Sequence, residues 1–258
     1  SGVTAVADAF VKKLSDDFGY EPHTVKVSGL IRSQAAKLGK PISPGLRKAD
    51  QIRQMQDVGN ELRQTRGSNF LAKLCIEKIA EWRVKKQGYQ NSTEGLGAAL
   101  PKRWVHVINE LKHPDEVRML RDVYGELFWV VAVLADEDSL KRGLVSQQIR
   151  DDEAIAIIKR DENEAHPNGQ KVRDTVQLAD YFIRNDPNHL DKLEPKALNF
   201  LDLIFNIRVV TPHADEAGMS EAFSAAANSA CLSRQVGAAA YSEEGELLGV
   251  GWNDVPRF

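Results

Sequence analysis

The sequence predicts an α/β fold, a parallel sheet with flanking helices followed by a second, smaller α/β segment, and three observations predict it. Short apolar runs of strand length alternate with stretches whose apolar residues recur at helical spacing, which is the pattern of βαβ crossovers. The run Leu127 to Leu134 is continuously apolar, as expected of a strand covered on both faces of a parallel sheet. Near residue 245, two apolar runs flank Ser242-Glu243-Glu244-Gly245, where glycine supplies the positive φ of a hairpin turn.

Each element follows from local chemistry. Val3, Val6, Ala7, Phe10, Val11, Leu14 and Phe18 lay one apolar stripe along a first helix that stops at Gly19. Thr24 to Leu30 alternates at Val25 and Val27 as a short strand. A helical stretch from Ser43 to Lys86 is broken near Gly67 and ended by the loop Gly88 to Gly97. Trp104 to Ile108 is the next strand, and His113-Pro114-Asp115-Glu116 starts a helix, with proline at the first position and two early carboxylates. After the 127–134 strand the chain turns charged and helical from Asp151. Ala179 to Ile183 is a strand closed by Asn185-Asp186-Pro187. Leu193 to Ile207 reads as an amphipathic connecting helix, broken by Thr211-Pro212 before an alanine-rich helix from Ala214 to Leu232. Val236 to Tyr241 and Glu246 to Trp252 form the hairpin. The expected organisation is a first domain over 1–190, a connecting helix and linker over 191–212, and a second domain over 213–258.

With 258 residues, 42% hydrophobic and 28% charged, the chain has ample material for a core. A net charge of −3 gives no global field for nucleic acid or an anionic membrane, although Arg83, Lys85 and Lys86, and Lys102-Arg103, are local basic stretches. Cys75 and Cys231 are far apart and belong to no C-x-x-C pair, so neither a disulfide framework nor a cysteine-rich metal site is expected. No apolar run approaches the roughly 20 residues of a membrane helix. Ser1-Gly2-Val3-Thr4 opens no signal peptide, because the basic residues follow the apolar ones. The expected location is the cytoplasm. His106, His113, His166 and His189 lack metal-ligand spacing and are expected at the surface or at helix caps. Trp82, Trp104 and Trp129 lie in apolar patterns and are expected in the core.

Ser1-Gly2-Val3-Thr4 at a helix start resembles the tail of a phosphate-binding loop, G-x-x-x-x-G-K-[ST], entered halfway. That loop aims backbone N–H groups at phosphate oxygens, with a lysine on the outer phosphates and a hydroxyl on magnesium. Ser1, Gly2 and Thr4 are the nucleotide-binding candidates, Thr4 as the metal hydroxyl, while Val3 stands where the lysine belongs; the alternative for the four residues is a polar helix start. The segment VHVINELKHPDEVRMLR resembles the strand-to-helix passage of dephospho-CoA-kinase-like and adenylate-kinase-like proteins. IIKRDENEAHPNGQKVRDTVQLADYFIRND resembles their mobile lid and closing strand. Arginines of such lids fold over phosphates, which makes Arg160 and Arg173 candidates; the alternative for Arg160-Asp161-Glu162 is a solvated charged face. The resemblance implies a P-loop-kinase-like domain that takes a nucleoside triphosphate and magnesium. The missing lysine favours binding or hydrolysis over phosphoryl transfer.

MSEAFSAAANSACLSRQVGAAAYSEEGELLGVGWNDVPRF resembles the N-terminal third of deoxycytidylate deaminases in its alanine-rich helix, S-x-x-x-R-Q-V-G-A turn, hairpin and terminal G-[YW]-N. The resemblance implies the opening of a cytidine-deaminase-like domain and zinc as cofactor. In such enzymes zinc-bound hydroxide attacks C4 of cytosine, a glutamate of H-x-E shuttles protons, and P-C-x-x-C supplies ligands. Both motifs lie C-terminal to the G-[YW]-N strand, so no catalytic or metal residue is expected within 1–258. His213-Ala214-Asp215-Glu216 has one residue too many before its glutamate and is rejected as a zinc motif; Cys231 is read as a small core residue of the alanine-rich helix. The substrate-binding candidates are Arg234 and Gln235 near a phosphate, Gly251 permitting close approach, and Asn253 on the sugar or phosphate. Their alternatives are a turn former for Asn253 and a solvated turn residue for Arg234.

A kinase-like domain followed by a deaminase-like one resembles the architecture of bacterial antiphage cytidine deaminases. That resemblance implies conversion of dCTP and dCMP to dUTP and dUMP, deoxycytidine nucleotides as ligands, an inhibitory RNA as partner, homo-oligomers and no membrane. It also implies a chain cut at both ends and inactive by itself. Other classes stay open: a nucleoside or nucleotide kinase or NTPase, and a non-enzymatic nucleotide or RNA sensor.

Overall fold

A computed structural model describes residues 2–87, 102–162, 164, 169–185 and 192–255. The protein is α/β and divides into two units, Ser1–Leu201 and Asp202–Phe258.

In the first unit, α1 (Gly2–Asp16) buries Val6, Ala7, Ala9, Phe10 and Leu14, the stripe set by the sequence spacing. It ends at Gly19, whose φ of 63° lets Tyr20 N–H reach back to Leu14 O. β1 (Glu21–Lys26) pairs in parallel with β2 (Trp104–Asn109), so its strand lies earlier than the expected 24–30. Val27 begins α2 (Val27–Lys37) instead. Val25 and Val27 satisfy a strand alternation, but Val27, Leu30, Ile31 and Ala35 also satisfy helical spacing, and all four pack on one core. α3 (Lys48–Arg66) stops at Gly67, φ 106°, and α4 (Phe70–Gln87) follows. The core joins Val25, Val27, Ala35, Val58, Leu62, Leu71, Leu74, Cys75 and Ile79. Each of its larger side chains contributes about 2 kcal/mol by leaving water.

α5 (Pro114–Tyr124) starts where proline and the carboxylates place it, and His113 is its cap, accepting from Asp115 N at 3.2 Å. Glu116, in the first turn, is fully buried against Arg63 of α3, with Nε and Nη2 both 2.8 Å from Oε1, while Oε2 accepts from Lys112 N and His113 N. The expected strand 127–134 shrinks to β3 (Val131–Leu134). Gly125 at φ 56° opens a single 3-10 turn over Gly125–Leu127 that leaves Leu127 exposed and Trp129 half exposed, so Trp129 is not a core residue. β3 pairs in parallel with β4 (Tyr181–Arg184), and the parallel strands stand as two pairs rather than one continuous sheet. α6 (Glu137–Val145), α7 (Asp151–Glu162), α8 (Val172–Val176) and α9 (Leu193–Ile204) complete the helices described there. Phe200 of α9 meets Phe10 edge-on at 5.6 Å and Tyr181 at 4.9 Å.

In the second unit, α10 (Ala214–Ala226) packs on β5 (Gly237–Tyr241), which pairs antiparallel with β6 (Leu247–Trp252) around Gly245, φ 87°. A Cβ on Gly237 would fall 1.9 Å from Ala222 O, so only glycine lets strand and helix approach this closely. α10 ends at Ala226 rather than reaching residue 232, and Cys231 sits half-buried in the segment beyond it rather than in a helical core.

Candidate functional site

The first turn of α1 lies at the carboxyl ends of two parallel strands. Asn109, the last residue of β2, donates from Nδ2 to Thr4 Oγ1 at 3.5 Å. Asn185 follows β4, tied by its backbone N–H to Leu134 O at 2.7 Å. A Cβ on Gly2 would meet Asn185 Nδ2 at 1.9 Å, so a larger residue 2 would displace this side chain. Asn185 is 8% exposed, and its Oδ1 accepts no hydrogen bond among the described residues. No acidic residue stands in the first turn of α1, which leaves the positive end of the helix dipole unopposed. Helix N-terminus and strand carboxyl ends together make the place where open α/β folds hold anions. Ser1 lies outside the described residues.

Glu110, directly after β2, holds φ 82° without being glycine, a strained conformation of the kind that collects at functional sites. Its carboxylate meets Lys112 Nζ at 3.3 Å, and Asp161 meets the same ammonium at 2.9 Å. Burial works to lower the Lys112 pKa, but these two carboxylates outweigh it and raise the group above its ordinary value. Gln56 of α3 donates to Asp161 Oδ1 at 2.8 Å.

The two lid candidates differ. Arg160 is engaged, 2.8 Å from Asp57 Oδ1 and 3.0 Å from Glu164 Oε1. Burial works to raise the Glu164 carboxyl, yet hydrogen bonds from Asn60 and Gln170 N and the Arg160 charge hold it below its usual range. Arg173 is exposed on α8 and makes no ion pair among the described residues. A cleft of about 470 Å³ lies along Ser68, His113, Asp115, Arg118, Lys171 and Asp174. There the Ser68 hydroxyl, donating at 2.6 Å, holds Asp115 below the usual carboxylate range. The sequence picked out Thr4, Gly2 and the arginines, but not Asn109, Glu110, Lys112 or Asn185. The strained residue after a strand had no signal in composition, and Asn185 was absorbed into a turn before Pro187.

In the second unit, Asn253 closes a small ring of hydrogen bonds. Oδ1 accepts from Ser229 Oγ at 2.9 Å and Val236 N at 2.7 Å, and Nδ2 donates to Arg234 O at 2.8 Å. Gln235 donates its side-chain amide to Cys231 O, and Arg234 is exposed. Nothing lies within 4 Å of where a Gly251 Cβ would be, so that face of β6 is open to close approach. His213 precedes α10, its N–H donating to Glu216 Oε2 at 2.8 Å, which gives the glutamate of the rejected motif a capping role.

No family model matches the chain. Over 185 residues it is 22% identical to a UPF0200/UPF0201 protein of Archaeoglobus fulgidus, an alignment covering 72% of this chain and 49% of that protein. The chain spans about half the length of that curated relative.

Among the described residues no group of three or more histidines, cysteines, aspartates or glutamates is placed to hold a metal ion, so they do not build a zinc site. No described helix is long and apolar enough to cross a membrane. What the arrangement offers is hydrogen-bond donors at a helix start and polar side chains at strand ends.

Proposed function

We propose that the protein handles nucleotides at two places. The first unit takes a nucleotide phosphate against the opening turn of α1. The second contributes the sugar and phosphate side of a deoxycytidine-nucleotide pocket, within an antiphage deaminase that converts dCTP and dCMP to dUTP and dUMP. One observation carries the first part: the first turn of α1, free of carboxylates, sits beside Asn109 and Asn185 at the ends of parallel strands. Backbone N–H groups there hold phosphate oxygens. Thr4 Oγ1, an oxygen ligand, suits a magnesium ion that keeps most of its waters. Asn109 steadies that hydroxyl.

The order of α10, turn, hairpin and Gly251-Trp252-Asn253 supports the second part. A bound zinc ion would supply the activated water for attack at C4, and none of the described residues is assigned to hold it. Arg234 faces solvent and meets the substrate phosphate, and Gly251 lets the nucleotide approach β6. Phosphoryl transfer is the weaker reading, because Val3 carries no ammonium for the outer phosphates.

RNA contact is favoured by a separate observation. Glu21 N donates to Arg103 O at 2.7 Å, and the Glu21 carboxylate pairs with Lys86, so the basic stretches around residues 86 and 103 share one edge. Binding there should weaken steeply as salt rises.

Titration of the chain with dCTP and ATP, with magnesium, tests the first part. Binding is expected, and Thr4→Val should weaken it about tenfold, the loss of one good polar contact. No binding of either triphosphate overturns it. The second part predicts that the full-length polypeptide holds zinc and releases ammonia from dCTP or dCMP; a protein that does neither refutes it.

A further inference from the structure

Asn253 stands one residue beyond β6, and its side chain is largely committed to its own chain. An asparagine amide has two acceptor positions and two N–H donors. Both acceptors are filled, by Ser229 Oγ and Val236 N, and one donor is given to Arg234 O. The backbone N–H of Asn253 also donates to Val236 O at 3.0 Å. The Asn253 side chain also hydrogen-bonds the Cys231 thiol, so its second donor faces the same segment.

The segment so held, 229–236, contains neither helix nor strand. Its other bonds are local: Cys231 N to Ser229 Oγ at 3.2 Å, Cys231 Sγ to Ser233 Oγ at 3.2 Å, and Gln235 to Cys231 O. Burial does not secure it, since Leu232 is 99% exposed and Arg234 is exposed. Without the Asn253 amide, the hydrogen bonds that tie these residues to the end of β6 are reduced, among the described residues, to one backbone contact.

We propose that Asn253 is a positioning residue: its amide pins segment 229–236 to the end of β6 and so fixes Arg234 and Gln235, instead of serving mainly as a nucleotide ligand. The consequence for the nucleotide rests on the second-unit reading above; the clip itself does not.

Asn253→Asp keeps the size and the acceptors but sets an oxygen against Arg234 O. Ser229→Ala removes one of the two bonds to Oδ1, together with the Cys231 N–H bond to Ser229 Oγ, so it serves if the first variant unfolds the unit, with exchange read at residues other than Cys231. Two local readouts follow the segment: hydrogen exchange over 229–236 and alkylation of Cys231, located by mass spectrometry and run at a pH where the thiol is ionised in every variant, because Asn253 itself touches that thiol, with Cys75 fully buried as an internal control. Both rates should rise about tenfold or more in Asn253→Asp and less in Ser229→Ala, with exchange in α4 unchanged. Affinity for dCMP should fall in the same order in both variants. If Asn253→Asp lowers dCMP affinity while exchange and alkylation stay at wild-type rates, Asn253 is a direct ligand and the inference is wrong. If the wild-type chain has no affinity for dCMP, the substrate reading falls, and exchange and alkylation still decide the clip.

Discussion

The two units hold their polar groups in place by different means. In the first, the Arg63–Glu116 pair is buried beside a core of nine closely packed residues, and a salt bridge and two backbone N–H groups, one of them the helix cap's, converge on one carboxylate. In the second, Ala225 is the one buried hydrophobic residue among those described, while Phe223, Leu232 and Leu248 are largely exposed. There the ordering of the candidate site comes from hydrogen bonds of one amide, open to solvent. Burial makes a charge costly to unpair, whereas a solvated hydrogen bond is cheap to lose. The same kind of substitution should therefore cost far more in the first unit than in the second.

Glu116→Ala gives the largest expected effect. It strands the Arg63 guanidinium in the interior and frees two backbone N–H groups, which costs about 3–5 kcal/mol. Denaturant unfolding followed by hydrogen exchange in α3 and α5 measures it; a loss below about 1 kcal/mol would mean the pair is solvated and the contrast between the units is not one of burial. Gly237→Ala comes next, at about 2 kcal/mol. Its methyl meets the backbone of α10, 1.9 Å from Ala222 O and 2.5 Å from Ala226 N, so strand and helix must separate. Exchange at β5 and β6 should rise with no change in α4. If the first unit responds equally, the units do not unfold independently.

The sequence made the α1 stripe and the start of α5 readable because each depends only on neighbours within a turn: apolar spacing in one case, Pro114 and Glu116 in the other. It did not separate β1 from α2, because over so short a window Val25 and Val27 fit both periods and the packing of Leu30 and Ile31 decides between them. Leu127 and Trp129 looked like strand core, but burial requires a covering layer that no local pattern reports. The sites divide in the same way. Thr4, Gly2 and Asn253 stood out through motif-like spacing. Asn109 and Asn185 are brought to α1 only by the pairing of distant strands, and the partners of Asn253 include the backbone atoms of Val236 and Arg234, which carry no sequence signature.

A third effect, of about 1–2 kcal/mol because the rings remain partly solvated, is pH-dependent and confined to the first unit. His23 and His106 face each other across β1 and β2 with their Nδ1 atoms 3.1 Å apart, so one donates and the other accepts, and the pair cannot hold two protons there. Burial, then His23 and Arg83, pushes His106 down to about 4, and burial, then Lys78, lowers His23. Trp82 stacks on His23, and Lys86, paired with Glu21, adds another cation over the Trp82 ring. In the unfolded chain these imidazoles titrate near about 6.5. Between there and about 4 the unfolded state binds the protons that the folded state refuses, so stability is full above about 7 and falls as pH drops through that window. Unfolding followed against pH should show this slope, and His106→Gln should flatten it. A wild-type profile already flat from 7 to 4 would show that the pair is solvated.

The smallest effect belongs to Asp57→Asn, and it is the sharpest check on the comparison because it tests a charged contact in the first unit that burial does not enforce. The Asp57 side chain is 64% exposed, and Arg160, which it touches at 2.8 Å, keeps Glu164 at 3.0 Å when Asp57 is neutralised. A pair this solvated contributes less than about 0.5 kcal/mol. Thermal unfolding should barely move, in contrast with Glu116→Ala in the same unit. The proximity of an opposite charge is alike in the two cases; what differs is the access of water to the guanidinium left behind and the partner, Glu164, that Arg160 retains. A loss of 2 kcal/mol or more, beyond about anything a screened surface pair supplies, would show that Arg160 depends on Asp57 for its place between α3 and α7, and that burial is not what ranks the charged contacts of this protein.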